Sequence, residues 1–382
     1  MLMHHEQTAG EPCDTVYISR VSRKILSGYS MARGSGCGFP EYLLKSLSKR
    51  CIDVDGWPIP DITAGSFHRE DMKVLVPWKT VAGFGAHLKA TRNTLIIQRD
   101  GRKEEIPLDT IDHLLLMGGH SLHTSVVNAF LRSGKAISFF EADGEPLGTL
   151  RRYGDHPDEV IRKAQYQAPS HSYALKLAKA ATINRISVIE SLEEGRSEQL
   201  LYQGEIDIIR QNLAELENLV RVDEIRRVYR LVSDMYYEIV ARTVPPEVGF
   251  RRRTTRPHTD VVNSILSIGY GMLFGNAIVA AIGGDCDPDQ GFLHKGKAGL
   301  IHDLTEPFKP AMIDRPALEL IRGGLDPAEY ECSTERCILS EELLARLVKI
   351  FHGTIRQNIL DEQVLALRES LLGTSEFFVV KV

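Results

Sequence analysis

The periodicity of the apolar residues changes along this chain, and this change constrains the fold more than any single motif. Between residues 73 and 152 the apolar residues form short runs such as VLVPW, HLKAT and TLIIQ, a pattern typical of β-strands. After about residue 170 they recur at i, i+3, i+4 and i+7, which indicates amphipathic helices. The sequence therefore predicts an α+β fold, in which a small β-rich domain precedes an all-α helical domain.

Turn signals and helical spacing divide these two regions further. Asp100-Gly101 and Asp143-Gly144 each separate two strand-like runs and predict hairpin turns, and residues 123–134 have the spacing of one helix between strands. The predicted domains are an extension of unknown role at 1–72, a β-rich domain at 73–155 and an α-helical domain at 156–382. The helices predicted in the last domain cover residues 171–192, 196–219, 222–242, 258–283, 297–305, 314–322, 340–353 and 356–371.

Composition excludes some classes of protein and leaves others open. The 382 residues include 46 Lys and Arg against 51 Asp and Glu, a formal net charge of −5, which excludes a polycation of the histone type. Six cysteines lack C-x-x-C spacing, so neither a disulfide framework nor a zinc knuckle is indicated. Cys332 and Cys337 form either a redox pair or, as we expect, two inert thiols. Since the N-terminus does not resemble a secretory signal, we expect a cytoplasmic protein.

One stretch is apolar enough to cross a membrane. Residues 261–284 contain no charged side chain, and their length would span a bilayer. They also contain Asn, Ser, Gly and Tyr residues, which are unusual in a uniformly apolar membrane span. We therefore expect a buried helix, or a pair of them, and no membrane association.

A histidine and two carboxylates form the densest group of possible ligands. His294 lies on a predicted loop, while Asp303 and Glu306 are three residues apart on a predicted helix, so that both carboxylates share one face. A mixed nitrogen and oxygen ligand set suits Mg²⁺ or Mn²⁺, and such ions act as Lewis acids in phosphodiester chemistry. The alternative interpretation is a surface Asp-x-x-Glu pair that stabilises the start of a helix. His120 and His123 have no acid at matching spacing, and we expect them to be structural.

One segment has a net positive charge although the whole chain is negative. Residues 221–256 contain nine arginines and five acids, a local net charge of 9 − 5 = +4. Such a segment can follow a DNA backbone, although a solvated helix face with a basic loop would have the same composition. The candidate DNA-binding residues are Arg226, Arg227, Arg230, Arg251, Arg252, Arg253 and Arg256, together with Lys295 and Lys297 near the histidine.

Two widely separated motifs carry a family resemblance. The segment RRRTTRPHTDVVNSILSIGYGML (251–273), followed by CDPDQGFLHKGKAGLIHDLTEPFKP (286–310), resembles the signature of the Cas-one family of CRISPR-associated endonucleases. The run EIPLDTIDHLLLMGGHSLHTSVVNAFLRSGKAISFFEADGEPLGTL (105–150) is similar to the N-terminal β domain of that family. The resemblance covers roughly residues 73–375.

The resemblance implies a metal-dependent DNA endonuclease and integrase of CRISPR spacer acquisition. It implies a homodimer that binds duplex or branched DNA and assembles with the small Cas-two subunit. By the family's motif, His294 and Glu306 would bind Mg²⁺ or Mn²⁺, with Asp303 as the neighbouring catalytic acid. The family's third ligand is a glutamate that falls at Tyr229 in the segment VDEIRRVYRLVSDMYYEIV (222–240), and a neutral phenol is a poor ligand for these ions.

Two alternatives to the active enzyme stay open at this point. With Tyr229 in the ligand position, the chain could be a catalytically degenerate relative that serves as a DNA-binding scaffold subunit. A transposon-type integrase related to the same family is less expected, because the sequence ends at SEFFVVKV soon after the last predicted helix.

Overall fold

The order of the secondary structure confirms the predicted α+β class. The computed structural model describes residues 75–155, 159–194, 200–254 and 256–381, and the predicted extension at 1–72 lies outside them. Strands occupy the first part of this described chain, and helices occupy most of the rest. The strands in chain order are β1 (Trp78–Ala82), β2 (His87–Ala90), β3 (Thr94–Arg99), β4 (Arg102–Pro107), β5 (His113–Met117), β6 (Ser121–Leu122), β7 (Ala136–Phe140), β8 (Pro146–Leu150), β9 (Tyr330–Cys332) and β10 (Cys337–Leu339).

The β-rich region contains two four-stranded sheets. The first has the order β1-β5-β7-β8, with β1, β5 and β7 parallel and β8 antiparallel to β7. The second has the order β4-β3-β2-β6. Asp100 and Gly101 join β3 to β4 with φ values of 50° and 74°, the left-handed pair that a two-residue hairpin turn requires.

Strand β5 separates two hydrophobic cores. All five of its residues are buried, and alternate side chains point to opposite faces of the sheet. Leu114 and Leu116 join a small core that includes Phe130 of the helix between the strands. Leu115 and Met117 join the larger core formed with the helical region. Because alternate side chains of β5 enter different cores, this strand packs against the helical region on one face and against the small core on the other.

The helices agree closely with the predicted segments, apart from one. Their bounds are α1 (Thr124–Arg132), α2 (Glu159–Gln167), α3 (Ser170–Glu193), α4 (Glu205–Glu215), α5 (Val222–Ala241), α6 (Val261–Gly283), α7 (Gly299–Thr305), α8 (Arg315–Arg322), α9 (Glu341–Thr354) and α10 (Gln357–Leu371). In the segment predicted as one helix at 196–219, residues 200–204 are not helical and α4 begins at Glu205, just after Gly204 with its left-handed φ of 85°. A π-helical turn, Pro310–Asp314, leads into α8.

Helix α6 is the charge-free stretch noted above, and most of it is buried inside the protein. Asp260 caps its N-terminus by accepting a hydrogen bond from the Asn263 amide at 2.8 Å. The helix contacts β1 and β5 on one side, and α7, α9, α10 and the π-helical turn on others. By length and composition it could cross a membrane, but here it is the core helix around which the other elements pack.

Two histidines and two cysteines outside the candidate site have structural contacts. His120 is 3.1 Å from the carbonyl oxygens of Val81 and Met117, and His123 accepts the Ser125 amide at the start of α1. The expectation of two inert thiols was wrong for Cys332 and Cys337, which form a disulfide between β9 and β10. Strand pairing brings these side chains directly opposite each other, a register that their sequence spacing alone does not show.

Alanine substitution at two glycines of α6 should change the stability of the protein in opposite directions. A Cβ on Gly275 would collide with the backbone of the Asp143-Gly144 turn, whereas nothing lies within 4 Å of a Cβ on Gly271. We expect Gly271→Ala to raise the free energy of unfolding by about 0.5–1 kcal/mol, because alanine is the better helix former. Gly275→Ala should lower it by about 1–3 kcal/mol, the usual cost of overpacking. Urea unfolding of both variants measures these changes. An equal rise in the free energy of unfolding for both would contradict the close contact between Gly275 and the turn.

His113 should make stability depend on pH. It is 3% exposed, and burial, with Arg151 and Arg368 nearby, lowers its pKa from 6.5 to about 4. The unfolded chain therefore takes up this proton first, so that stability is full above pH 6.5 and is lost as the pH falls towards 4. At 1.36 kcal/mol for each pKa unit, the loss is about 3 kcal/mol. We expect the difference in unfolding free energy between wild type and His113→Gln to shrink by this amount from pH 7 to pH 4, and a constant difference would contradict it.

Candidate functional site

Arg185 lies in the interior at the centre of the site. Helix α3 buries Leu177, Ala181 and Ile189 on the same face, so this arginine occupies a position where the periodicity calls for an apolar residue. Its side chain is 2% exposed, and its Nη2 donates hydrogen bonds to the Tyr229 hydroxyl at 2.9 Å and to Oε2 of Glu306 at 3.0 Å. A buried guanidinium requires such partners, because removing its charge from water is costly.

Glu306, immediately after α7, is held by three donors. Its Oε2 accepts from Arg185 and from the Tyr229 hydroxyl, and its Oε1 accepts from the Lys309 ammonium. Burial by itself would raise the pKa of Glu306, but the charges of Lys309 and Arg185 outweigh burial and keep that pKa well below its ordinary value. The carboxylate is therefore ionised and already neutralised by protein cations.

Asp303 organises the loop that carries His294. It is fully buried in α7, and its Oδ2 accepts from the amides of Phe292 and Leu293 at 2.5 and 3.0 Å. Its Oδ1 accepts from the amide of His294 and lies 2.8 Å from His294 Nδ1. Asp303 and Glu306, three residues apart, have no hydrogen-bond partner in common within the described structure, so the two motif carboxylates have separate contacts.

Tyr229 joins these two groups of residues. It is buried on α5, and its hydroxyl donates a hydrogen bond to Glu306. Its ring is edge-on to the His294 ring, with 5.9 Å between the two centroids. Burial raises the pKa of Tyr229 well above 10, although Arg185 opposes this, so the phenol is neutral and donates a hydrogen bond. The structure thus brings together the four residues singled out from the motifs, His294, Asp303, Glu306 and Tyr229.

A second buried acid lies next to the site and was missed by the sequence analysis. Asp314 accepts hydrogen bonds from Tyr236 at 2.9 Å and from Tyr270, whose hydroxyl is 2.6 Å from that of Tyr237. Burial raises the pKa of Asp314 to about 6, against the effect of these hydrogen bonds. Arg185 was missed as well, and its only signal was one charged side chain on the apolar face of α3.

The donor set of this site does not fit a divalent metal ion. Mg²⁺ is usually bound by one or two protein carboxylates together with water and substrate oxygens, so at least one carboxylate must be free to coordinate. Glu306 has both oxygens occupied by a guanidinium, an ammonium and a phenol, so a bound dication would lie beside two existing positive charges. Across the described parts of the chain, no group of three or more His, Cys, Asp or Glu side chains is arranged to hold a metal.

The predicted DNA-binding residues divide into two groups. Arg226 and Arg253 bind protein: Arg226 contacts Asp223 and the Leu293 carbonyl, and Arg253 donates to Asn263 and to Ser267. The other members are exposed, and we find them without an ion pair to any described residue. They are Arg227, Arg230, Arg251, Arg252, Arg256, Lys295 and Lys297.

Comparison with known proteins agrees with this arrangement of motifs. A model of the family described as "CRISPR associated protein Cas1" matches residues 80–352. A protein of Methanospirillum hungatei JF-1, named putative CRISPR-associated endonuclease Cas1 2, is 40% identical over 302 residues, which are 79% of this chain and 100% of that protein.

Two solved structures share the fold at low sequence identity. A chain of a partial Cas6-RT-Cas1–Cas2 complex has a TM-score of 0.66 and 18% identity, covering 79% of this chain and 98% of that one. A casposase bound to its integration product has a TM-score of 0.67 and 19% identity, covering 78% of this chain and 96% of that one. Since the family model spans most of the chain, and the Methanospirillum hungatei relative is matched over its full length, this chain belongs to the Cas1 family of CRISPR-associated proteins.

Proposed function

We propose that this chain is a DNA-binding subunit of CRISPR adaptation that does not itself catalyse metal-dependent cleavage or strand transfer. The observation that carries the proposal is the occupation of Glu306 by Arg185, Tyr229 and Lys309. In this proposal Tyr229 stands where the family has a ligand glutamate. The subunit acts in the cytoplasm as a homodimer with a Cas2-type partner, as the resemblance implies, and a structural neighbour comes from a Cas1–Cas2 complex.

The charge around Glu306 explains why metal chemistry is disfavoured. Arg185 keeps its proton: burial lowers its pKa, but Tyr229 and Glu306 raise that pKa by more. A metal ion at Glu306 would compete with Arg185 and Lys309 for the carboxylate, and displacing Arg185 would leave a buried charge without its partner. Breaking a buried pair in this way typically costs about 3–5 kcal/mol.

DNA binding rests on the exposed arginines rather than on the full basic segment. Arg251 and Arg252 are exposed in the loop that leads to α6, and Arg227 and Arg230 are exposed on α5. Guanidinium groups without internal partners are available to phosphate oxygens, and each such contact releases counterions from DNA. The neighbouring Arg253 instead serves to hold this loop against α6.

The active enzyme is the second candidate function, and one contact favours it. His294 places Nδ1 on Asp303, the arrangement by which proteins orient a histidine whose other nitrogen binds a metal. The relative from Methanospirillum hungatei is also named a putative endonuclease. Measured activity separates the two candidates.

Metal-dependent catalysis should be absent from the wild-type protein. With Mn²⁺ and branched or duplex DNA, we expect wild type to cleave and to join strands no faster than His294→Ala, because neither has a complete ligand set. Gel assays of both reactions give the measurement. Activity in wild type that disappears in His294→Ala would establish the enzyme, whereas activity gained only in Tyr229→Glu would support the DNA-binding subunit.

The exposed arginines Arg251 and Arg252 should contribute to the affinity for DNA. Arg251→Ala combined with Arg252→Ala should weaken duplex binding and reduce the slope of log K against log salt by about 0.9 for each lost phosphate contact. Arg253→Ala should instead lower the free energy of unfolding by about 1–3 kcal/mol, because it leaves the buried Asn263 without its charged donor. Fluorescence anisotropy across a salt series, with urea unfolding, measures both. Equal salt slopes in wild type and the double variant would contradict a DNA surface here.

A further inference from the structure

A cavity of about 420 Å³ opens beside Glu306 and carries an excess of positive charge. Its lining includes four permanent cations, two acids and one histidine, His302. The cations are Arg185, Arg230, Arg253 and Lys309, and the acids are Asp234 and Glu306, so that the lining has a net charge of 4 − 2 = +2.

The cations of this cavity have unused hydrogen-bonding capacity. Lys309 has three N–H groups and donates to Glu306, and Arg230 is exposed without a hydrogen bond to the described residues. Nε and Nη1 of the buried Arg185 also lack a hydrogen-bond partner among those residues. Buried N–H groups are rarely left without an acceptor, so these two nitrogens can bind one that enters the cavity. Because the lining has a net positive charge, the acceptor that fits best is an anion.

We propose that this cavity binds the terminal phosphate of a DNA strand without a metal ion. A terminal phosphomonoester carries a charge of about −1.5 to −2 at pH 7, which matches the lining better than the single charge of an internal diester. Lys309, Arg230 and the unpartnered N–H groups of Arg185 would contact its oxygens, while Arg253 is held in the wall by Asn263. Ser233 and Thr305 add hydroxyl groups to the same wall.

The position of the cavity fits a strand end. Arg230 and Tyr229 are neighbours on α5, the helix that also presents Arg227 to solvent, so a strand bound along that helix can end at the cavity. The aromatic side chains of Tyr237, Tyr270 and Phe274 line the cavity as well. This inference rests on the proposed function, because it requires Glu306 to remain paired with Arg185 and Lys309 rather than with a metal.

The test compares DNA ends in EDTA with the full-length protein. Duplexes with a single-stranded overhang would end in a 3′-phosphate, a 5′-phosphate or a hydroxyl, with fluorescein on the opposite end for anisotropy. We expect a phosphorylated end to bind about tenfold more tightly than the hydroxyl, the effect of one charge-assisted hydrogen bond. Arg230→Ala and Lys309→Met should remove this preference, and Arg322→Ala, an exposed residue outside the cavity, should retain it.

Four other outcomes would contradict the proposed phosphate-binding cavity or a part of it. Equal affinity for phosphate and hydroxyl ends excludes the end-binding cavity, but leaves the DNA-binding function intact. A preference that appears only with Mn²⁺ overturns both. Inorganic phosphate that competes as well as a short 5′-phosphorylated trinucleotide would show that the ligand is free phosphate rather than a DNA end. A preference that survives in both Arg230→Ala and Lys309→Met would place the phosphate elsewhere.

Discussion

Close packing around helix α6 is the constraint on which the rest of the structure depends. Gly275 allows the Asp143-Gly144 turn of the β-rich region to contact the helix backbone, and Gly283 leaves room for Trp78 and Leu115. Any larger residue at these two places would separate the helix from the sheet. Helix α7 and the turn at 310–314 pack on the same helix, so the positions of Glu306 and Lys309 follow from the fit of α6.

The buried ion cluster then determines what chemistry the site permits. Arg185 brings a permanent charge into the interior from α3, and the cost of removing it from water is offset by Glu306, by the Tyr229 hydroxyl and by the face of the Tyr229 ring, 4.7 Å away. Lys309 adds a second cation to the same carboxylate. Arg185, Lys309 and Glu306 together carry a charge of +1, which disfavours a metal ion beside Glu306, and the neighbouring Asp314, held by Tyr236 and Tyr270, offsets part of this charge.

Local patterns predicted the fold well and the site only in part. Hairpins and helices follow from neighbouring residues, so the Asp100-Gly101 turn and most helix bounds were predicted correctly. The motifs also brought His294, Glu306 and Tyr229 into one neighbourhood. Arg185 could not be placed, because it lies 121 positions from Glu306 and belongs to no motif. Arg253 illustrates the same limit: a charge count cannot show that it turns inward to Asn263 while Arg252 stays exposed.

In the site as proposed, a neutral residue at position 229 favours an anionic ligand, and a carboxylate there would favour a metal ion. A neutral tyrosine donates its hydroxyl hydrogen to Glu306 and leaves the two cations in excess. A carboxylate at the same place would balance Arg185 and Lys309 together with Glu306, and the site could then gain a cation without accumulating positive charge. The change from phenol to carboxylate alters the local charge by one unit and, inside a protein, is worth several kcal/mol at contact distance. A single side chain on α5 can therefore separate a phosphate-binding pocket from a metal centre on the same backbone.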